Sequence, residues 1–513
     1  MSGASLENAG AAARALRAGQ PALVWRRVIA DSDTPVGAAQ RLIEPGRGDF
    51  LLESVEGGEI RGRYSLLGLD PDLVFRGGGN EAEINRDWRT DREAFVPCEG
   101  NDPMGELRAL AEACRIDVPE ELPPALACLV GYFGYETIGL VETLPRAPDS
   151  ELALPDMLFV RPTIILVFDS LSDSLYCVAP IWPKDVDADD PEAAIERAGE
   201  RIDEVLRDLG QRRPDAVRMA ELAEPELEPV MAAQDYKALV ARAKDYITAG
   251  DIFQVVLAQR FTCAFELPPL ELYRALRRVN PSPFLYFLDL PGFAIVGSSP
   301  EILVRVRDDA SGRKEVTIRP IAGTRRRGET PAQDKANEAS LLADPKERAE
   351  HLMLLDLGRN DVGRVAARGT VEVTDSFTIE RYSHVMHIVS NVVGELAADK
   401  DALDAVFAGF PAGTVSGAPK IRACEIIAEL EPETRGAYAG AVGYFAPDGS
   451  VDSCIVLRTA VVKDGMMHVQ AGAGIVADSD PDYELAECRA KAGALIAAAR
   501  EAVRVASEPG FGQ

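Results

Sequence analysis

Positive charge is scarce in this chain. Lys and Arg number 55 against 83 Asp and Glu, a net charge of −28 over 513 residues. That deficit excludes nucleic acid or an anionic membrane surface as the main partner, because both are bound through excess Lys and Arg. It also sets a condition. If the substrate is an anion, a local cluster of Arg, Lys or a metal ion must invert the field at its site. Cysteine is sparse and scattered, eight residues at 98, 114, 128, 177, 263, 424, 454 and 488 with no CxxC pair, so no zinc site is expected and the chain reads as a reduced protein. No stretch approaches the roughly 18 consecutive apolar residues of a membrane-spanning helix. Residues 1–20 are Ala-rich with dispersed charge and lack the apolar centre of a secretion signal. A soluble cytoplasmic protein is the simplest expectation. Histidine is limited to His351, His384, His387 and His468, which narrows the search for a general base. Walker and dinucleotide-binding glycine patterns are missing as well. Gly413-Thr414-Val415-Ser416-Gly417-Ala418-Pro419-Lys420 has neither spacing.

What is present is ordinary globular material. Hydrophobic residues make up 47% and charged residues 27%, ample for a core, and the length suggests about two to four domains. Residues 50–53 and 64–69 read as strands around a Gly57-Gly58 turn, and 129–135 and 158–168 as further strands. From 184 to 228 the chain turns acidic and proline-punctuated around one amphipathic helix. Asp190 caps it, Pro191 opens it, Ile195, Ile202, Leu206 and Leu209 stripe it, and Gly210 ends it. A boundary is placed after it, in 212–229, dividing the chain into 1–229 and 230–513. In the second part a helix stops at Gly250 and 252–261 reads as a strand. Residues 284–306 give three short strands cut by Pro291-Gly292 and Ser298-Ser299-Pro300, and Pro320 ends a strand carrying Val316 and Ile318. Residues 452–474 read as a hairpin across Lys463-Asp464-Gly465. Hairpin strands with interspersed helices favour an α+β fold over a doubly wound one.

The chemistry-bearing residues gather around 346–361. There Glu347, Glu350, Leu354 and Leu357 recur at spacings of three and four and share one helical face, with Gly358 as the expected stop. A lone carboxylate carried toward a core is costly. Glu484 and Glu487, far downstream, form a second acidic pair on one helical face. Carboxylates from two distant helices suggest a shared hard cation, Mg2+; surface ion pairs are the other reading of the same spacing. The loops Pro320-Ile321-Ala322-Gly323-Thr324-Arg325 and Gln470-Ala471-Gly472-Ala473-Gly474 offer close backbone approach and N–H groups suited to a carboxylate. Arg458, in the apolar run Cys454-Ile455-Val456-Leu457, is expected on a strand and expected to meet a carboxylate of protein or substrate. Ser54, at a strand end, either caps a turn or binds a small polar ligand.

With these residues assembled, 234–500 resembles the chorismate-utilising enzyme family. The motifs are Gly250-Asp251-Ile252-Phe253-Gln254-Val255-Val256, Ser299-Pro300-Glu301, Pro320 to Arg325, Glu350-His351-Leu352-Met353, His384-Val385-Met386-His387, Gly413 to Lys420, and the block from Gly472 to Lys491. Within the family the chain is most similar to the anthranilate synthase large subunits. Aminodeoxychorismate-forming relatives typically carry a nucleophilic lysine at the position of Ala322, and isochorismate-forming relatives carry a water-activating lysine at the position of Gln254. Neither Ala nor Gln supplies that chemistry.

The resemblance implies an α+β chorismate-binding fold, a β-sandwich of antiparallel sheets flanked by helices. It implies a lyase that turns chorismate plus ammonia into anthranilate and pyruvate, the first step of tryptophan biosynthesis. Glu350, Glu484 and Glu487 would hold Mg2+, Glu484 directly or through water. Gln254, Gly323, Thr324, Tyr438, Arg458, Gly472, Ala473, Gly474 and Lys491 would surround the substrate. Glu301 would act as general acid, with His387 and Thr414 serving the later loss of pyruvate; His351 and His384 would pack. Glu53, Ser54, Pro283, Phe284 and Leu285 would bind L-tryptophan as feedback inhibitor. No Gly-x-Cys-x-Gly nucleophile turn is present, so a separate glutaminase subunit would deliver the ammonia, in an assembly of two large and two small subunits. Aminodeoxychorismate synthase component I is the alternative, and a non-catalytic tryptophan-binding regulator a remoter one.

Overall fold

In a computed structural model of the chain, the residues described are 5–56, 60–186, 190–211, 222–382 and 385–507. The Gly57-Gly58 turn, His384 and most of the expected 212–229 boundary lie outside them. Among the described residues, two antiparallel sheets of twelve strands each form the frame, as the α+β expectation required. The first runs through Asp49–Glu56, Phe284–Leu290, Phe293–Ser299, Thr459–Lys463, Met466–Ile475 and Gln254–Ala264 in that order. The second runs through Ile321–Arg326, Val385–Glu395, Lys314–Ile318, Ile302–Asp308, Val451–Ile455, Ala441–Phe445 and Leu129–Phe133. Their faces meet through rings such as Tyr132 and Phe293, 6.0 Å apart and edge to face.

Both sheets draw strands from either side of residue 229. Asp49–Glu56 pairs with Phe284–Leu290, placing Ser54 opposite Phe284 and Glu53 opposite Leu285. Leu129–Phe133 pairs with Ala441–Phe445. One apolar core runs through both segments. Helices Ala233–Ala249, Pro269–Val279 and Pro481–Ser507 pack together on the first sheet, and Pro345–Gly363 lies on the strands Ile321–Arg326 and Val385–Glu395 of the second.

Local chemistry explains most boundaries. Asp190 accepts from the Ala193 N–H and Pro191 begins the helix that ends at Leu209. Asp344 accepts from the Lys346 and Glu347 N–H groups to open Pro345–Gly363. The hairpin turn has Asp464 and Gly465 at φ +51° and +75°, matching the right-handed twist of its strands. Three expectations need correction. Gly358 does not stop its helix, which continues to Gly363; a Cβ there would lie 3.1 Å from Pro320 Cγ, so the glycine serves close packing. Residues 158–168 form two strands, Met157–Arg161 and Ile164–Asp169, because Pro162 cannot donate to the ladder. Arg458 is not in a strand: Val451–Ile455 ends in the second sheet, Thr459–Lys463 begins in the first, and Arg458 lies in the crossing at φ +48°.

Candidate active site

Glu301 occupies another crossing between the sheets, after Phe293–Ser299 and before Ile302–Asp308. Its carboxyl is buried and lies 3.2 Å from the Thr414 hydroxyl through both oxygens. Burial outweighs the hydrogen bonds from Thr414 and the Ile321 backbone and pushes its pKa up to about 8. Glu301 is therefore protonated at neutral pH. Thr414 is fixed on the one-turn helix Gly413–Val415, which sits against the long helix so closely that a Cβ on Gly413 would meet Leu357 Cδ2 at 2.0 Å.

His387, on Val385–Glu395, is buried beside the strand Ile321–Arg326. Its Nδ1 is 2.8 Å from the Gly323 carbonyl and 3.2 Å from Thr324 Oγ1. A carbonyl only accepts, so Nδ1 carries the proton and Nε2 is the free base. Burial lowers the His387 pKa, and Arg458 lowers it further, against the Gly323 bond and Glu380, which raise it. The carbonyl is in place because the pairing of Ile321–Arg326 with Val385–Glu395 slips between Ala322 and Arg325. Gly323 absorbs that slip at φ +66°, where a Cβ would lie 3.1 Å from Glu347 Oε2 and from Leu341 Cδ1. The Tyr382 ring stands 5.5 Å from the imidazole, and its hydroxyl donates to Glu380 at 2.9 Å.

Arg458 is half-buried, and its guanidinium has no ion-pair or hydrogen-bond partner among the described residues. A cation placed so has the charge and donor geometry for a substrate carboxylate. Gly472, Ala473 and Gly474 lie opposite Ala258, Leu257 and Val256, while their other edge is unpaired beyond Val469. Both glycines leave room for neighbouring side chains. A Cβ on Gly472 would lie 2.8 Å from Tyr438 Oη, and one on Gly474 would lie 2.5 Å from Gln254 Nε2. Gln254 is buried with its Oε1 unpartnered among the described residues. Lys491 donates to the Gly472 carbonyl and pairs with Glu487, each at 2.8 Å.

The acidic side chains expected to hold a metal come from the two helices as anticipated. Burial raises the pKa of Glu350, and Glu347 and Glu487 raise it further against Lys346 and Lys491. Burial also raises Glu484, with Glu487 adding to it. Carboxylates that raise one another's pKa in this way are near enough to interact, and carboxylate oxygens are the donor type a hard divalent cation takes. Among the described residues, no three His, Cys, Asp or Glu side chains converge on one point.

The five residues expected to bind an inhibitor divide between two faces of the first sheet. A cavity of about 440 Å3 lies between the sheets, bounded by Ser54, Phe284 and Tyr286 on one side and Arg307, Tyr444 and Asp452 on the other. Glu53 and Leu285 also border it, but strand alternation turns their side chains to the opposite face. Glu53 instead accepts from Tyr273 Oη at 2.6 Å and from Arg277 at 2.9 and 3.0 Å, both on Pro269–Val279. Pro283 precedes the strand and does not line the cavity. His351 is fully buried, 2.6 Å from Ser390 Oγ and edge-on to Phe377, with burial lowering its pKa to about 4.

Sequence reasoning missed Tyr286, Tyr382 and the pair Lys420–Asp361. Tyr286 follows Phe284 by two, so strand alternation alone places it on the same face. Lys420 and Asp361 meet at 2.9 Å in the interior, and nothing in their local sequence links them.

A profile described as chorismate binding enzyme matches residues 54–497. Anthranilate synthase component 1 of Cereibacter sphaeroides is 54% identical over 97% of this chain and 98% of its own length. The Pseudomonas aeruginosa protein of the same name is 46% identical over 92% and 94%. Among solved structures, anthranilate synthase component I from Streptococcus pneumoniae superimposes with a TM-score of 0.75 at 34% identity, covering 91% of this chain and 99% of that one. The menaquinone-specific isochorismate synthase of Escherichia coli shares the fold at a TM-score of 0.67 and 18% identity. The chain belongs to the chorismate-binding enzyme family, in the group of anthranilate synthase component 1.

Proposed function

We propose that the chain is the large subunit of an anthranilate synthase, converting chorismate and ammonia to anthranilate and pyruvate. The observation that carries this reading is a proton-bearing Glu301 and a proton-free His387 Nε2 in one buried site beside an unpaired Arg458. Ammonia adds at C2 of the ring as the 4-hydroxyl leaves, and Glu301 supplies the proton that makes the leaving group water. Loss of the C2 proton to His387 Nε2 then expels the C3 enolpyruvyl oxygen. The enolate takes up a proton to become pyruvate, and the ring becomes aromatic. Arg458 and the open edge at Gly472, Ala473 and Gly474 hold substrate carboxylate, while Tyr438 and Gln254 shape the pocket floor. Ala322 offers no nucleophile and Gln254 no base for water, which favours ammonia addition over the aminodeoxychorismate and isochorismate reactions.

Glu350, Glu484 and Glu487 would hold Mg2+, which would neutralise the ring carboxylate in a strongly acidic protein. The cavity between the sheets suits L-tryptophan, with apolar rings for the indole and the Asp452–Arg307 pair for the amino-acid end. The ammonia would come from a separate glutaminase subunit. The test is one assay of the purified chain with chorismate and Mg2+, read by anthranilate fluorescence. Ammonium salts should support turnover, glutamine should not, and tryptophan should suppress it. A product that keeps the 4-amino pattern and needs a further lyase would overturn the reading in favour of aminodeoxychorismate synthesis. No turnover at all, with tryptophan bound, would favour a regulator.

A further inference from the structure

One side chain touches both the cavity between the sheets and the Arg458 turn. Tyr286 is fully buried on Phe284–Leu290, and its ring bounds the cavity. Its hydroxyl lies 2.6 Å from Thr459 Oγ1. The Thr459 hydroxyl donates to the Leu457 carbonyl at 2.8 Å. That uses the threonine proton, so the Tyr286 O–H donates to Thr459. The two bonds bracket Arg458, and a third tie, Ser298 N–H to the Arg458 carbonyl at 3.2 Å, holds the same turn to the first sheet. Arg458 needs such support. At φ +48° it occupies a left-handed conformation that a non-glycine residue keeps only when its surroundings over-determine it. The ring reaches the turn by crossing the neighbouring strand at Gly297, where a Cβ would lie 2.1 Å from Tyr286 Cζ and 2.5 Å from its Oη.

We propose that Tyr286 is a positioning residue: its hydroxyl sets the Arg458 turn for the substrate carboxylate, and its ring makes that setting sensitive to whatever fills the cavity. This rests on the reading that Arg458 holds a chorismate carboxylate and that the cavity takes an aromatic amino acid. An occupant that displaces the ring lengthens the bond to Thr459, releases the turn from its left-handed conformation and takes the guanidinium off aim. By linkage, chorismate weakens binding in the cavity by the same factor.

The experiment compares Tyr286→Phe, Thr459→Val, their double variant and Thr459→Ser in the full chain, with chorismate, Mg2+ and ammonium. Each variant that removes a hydroxyl raises KM for chorismate about fivefold to tenfold, the effect of one buried hydrogen bond, with kcat within about twofold. The double variant is no worse than either single, because both remove one bond. Thr459→Ser, which restores the hydroxyl, returns KM toward the wild-type value. Tyr286→Phe also needs more tryptophan for half-inhibition, although calorimetry without chorismate finds tryptophan bound at least as tightly as in the wild type, because the bond its binding must break is already gone; weaker binding in the calorimeter would put the inhibition change down to the cavity itself and overturn the coupling. A wild-type KM in Tyr286→Phe, or additive effects in the double variant, overturns the proposal. Arg458→Ala serves as the benchmark. If it leaves KM unaltered, the substrate reading falls and this proposal with it. If it raises KM while Tyr286→Phe does not, this proposal alone falls.

Discussion

A carboxyl that must donate a proton near neutral pH needs surroundings that make its ionisation costly. Glu301 has them: burial, a weak pair of bonds to one threonine hydroxyl, and a pKa near 8. The acid works while protonated, so kcat should fall as pH rises through about 8. Glu301→Gln keeps the shape but not the acid, and should lower kcat by about 10²–10⁴-fold at pH 7, measured as the initial rate of anthranilate formation. In the proposed reaction His387 acts in the opposite protonation state. Its lowered pKa keeps Nε2 free, so the acid side of the profile should decline only below the usual histidine range. His387→Met should let amination proceed and stall pyruvate release, seen as accumulation of the aminated cyclohexadiene by chromatography; normal anthranilate output would remove His387 from that step. Both residues were singled out in sequence through the family motifs. Their protonation states were not, because these depend on burial and on bonds from Thr414 and Gly323, on other elements.

At the scale of elements, two joints hold the site in register. One is the slip between Ala322 and Arg325, which presents the Gly323 carbonyl to His387. The other is Lys420 on Asp361, with exposures of only 8% each, which ties the start of helix Lys420–Leu430 to the long helix Pro345–Gly363. Lys420→Met leaves a buried carboxylate unpaired and should destabilise the chain by about 3–5 kcal/mol, read from denaturant unfolding. An unchanged midpoint would show that Asp361 takes up a proton at no cost. The helix itself was plain from the i, i+3, i+4 pattern of Glu347, Glu350, Leu354 and Leu357, whereas its start at Pro345, capped by Asp344, was not read. Its length was not, because Gly358 carries the signature of a stop yet serves contact with Pro320. Arg458 was misplaced for a related reason. Its apolar neighbours read as one strand, whereas the chain there leaves one sheet for the other.

At the scale of the molecule, two interleaved sheets place a cavity and the candidate active site along the same few strands. Phe293–Ser299 leads into Glu301, and Thr459–Lys463 follows Arg458, while Phe284–Leu290 beside them lines the cavity. Ser54→Phe should fill part of that cavity and raise the tryptophan concentration for half-inhibition by more than about tenfold, a loss of roughly 1.4 kcal/mol of binding; an unchanged inhibition curve would remove Ser54 from the site. Glu350→Gln should abolish magnesium-dependent turnover, and turnover that persists in chelator would show that the acidic helices hold no required ion. The sequence by itself determined the α+β class, the helix start at Pro191, the helix through Glu347 and Glu350, the hairpin at Asp464-Gly465, and the family. These follow from periodicity, capping and turn conformation, which act over a few neighbouring residues, and from motifs that stand intact in the chain. Tertiary structure alone decided that Glu53 faces Arg277 rather than the cavity, that Tyr286 reaches the Arg458 turn, and that both segments share each sheet. Those outcomes depend on strand register and burial between residues hundreds of positions apart, which no local pattern encodes.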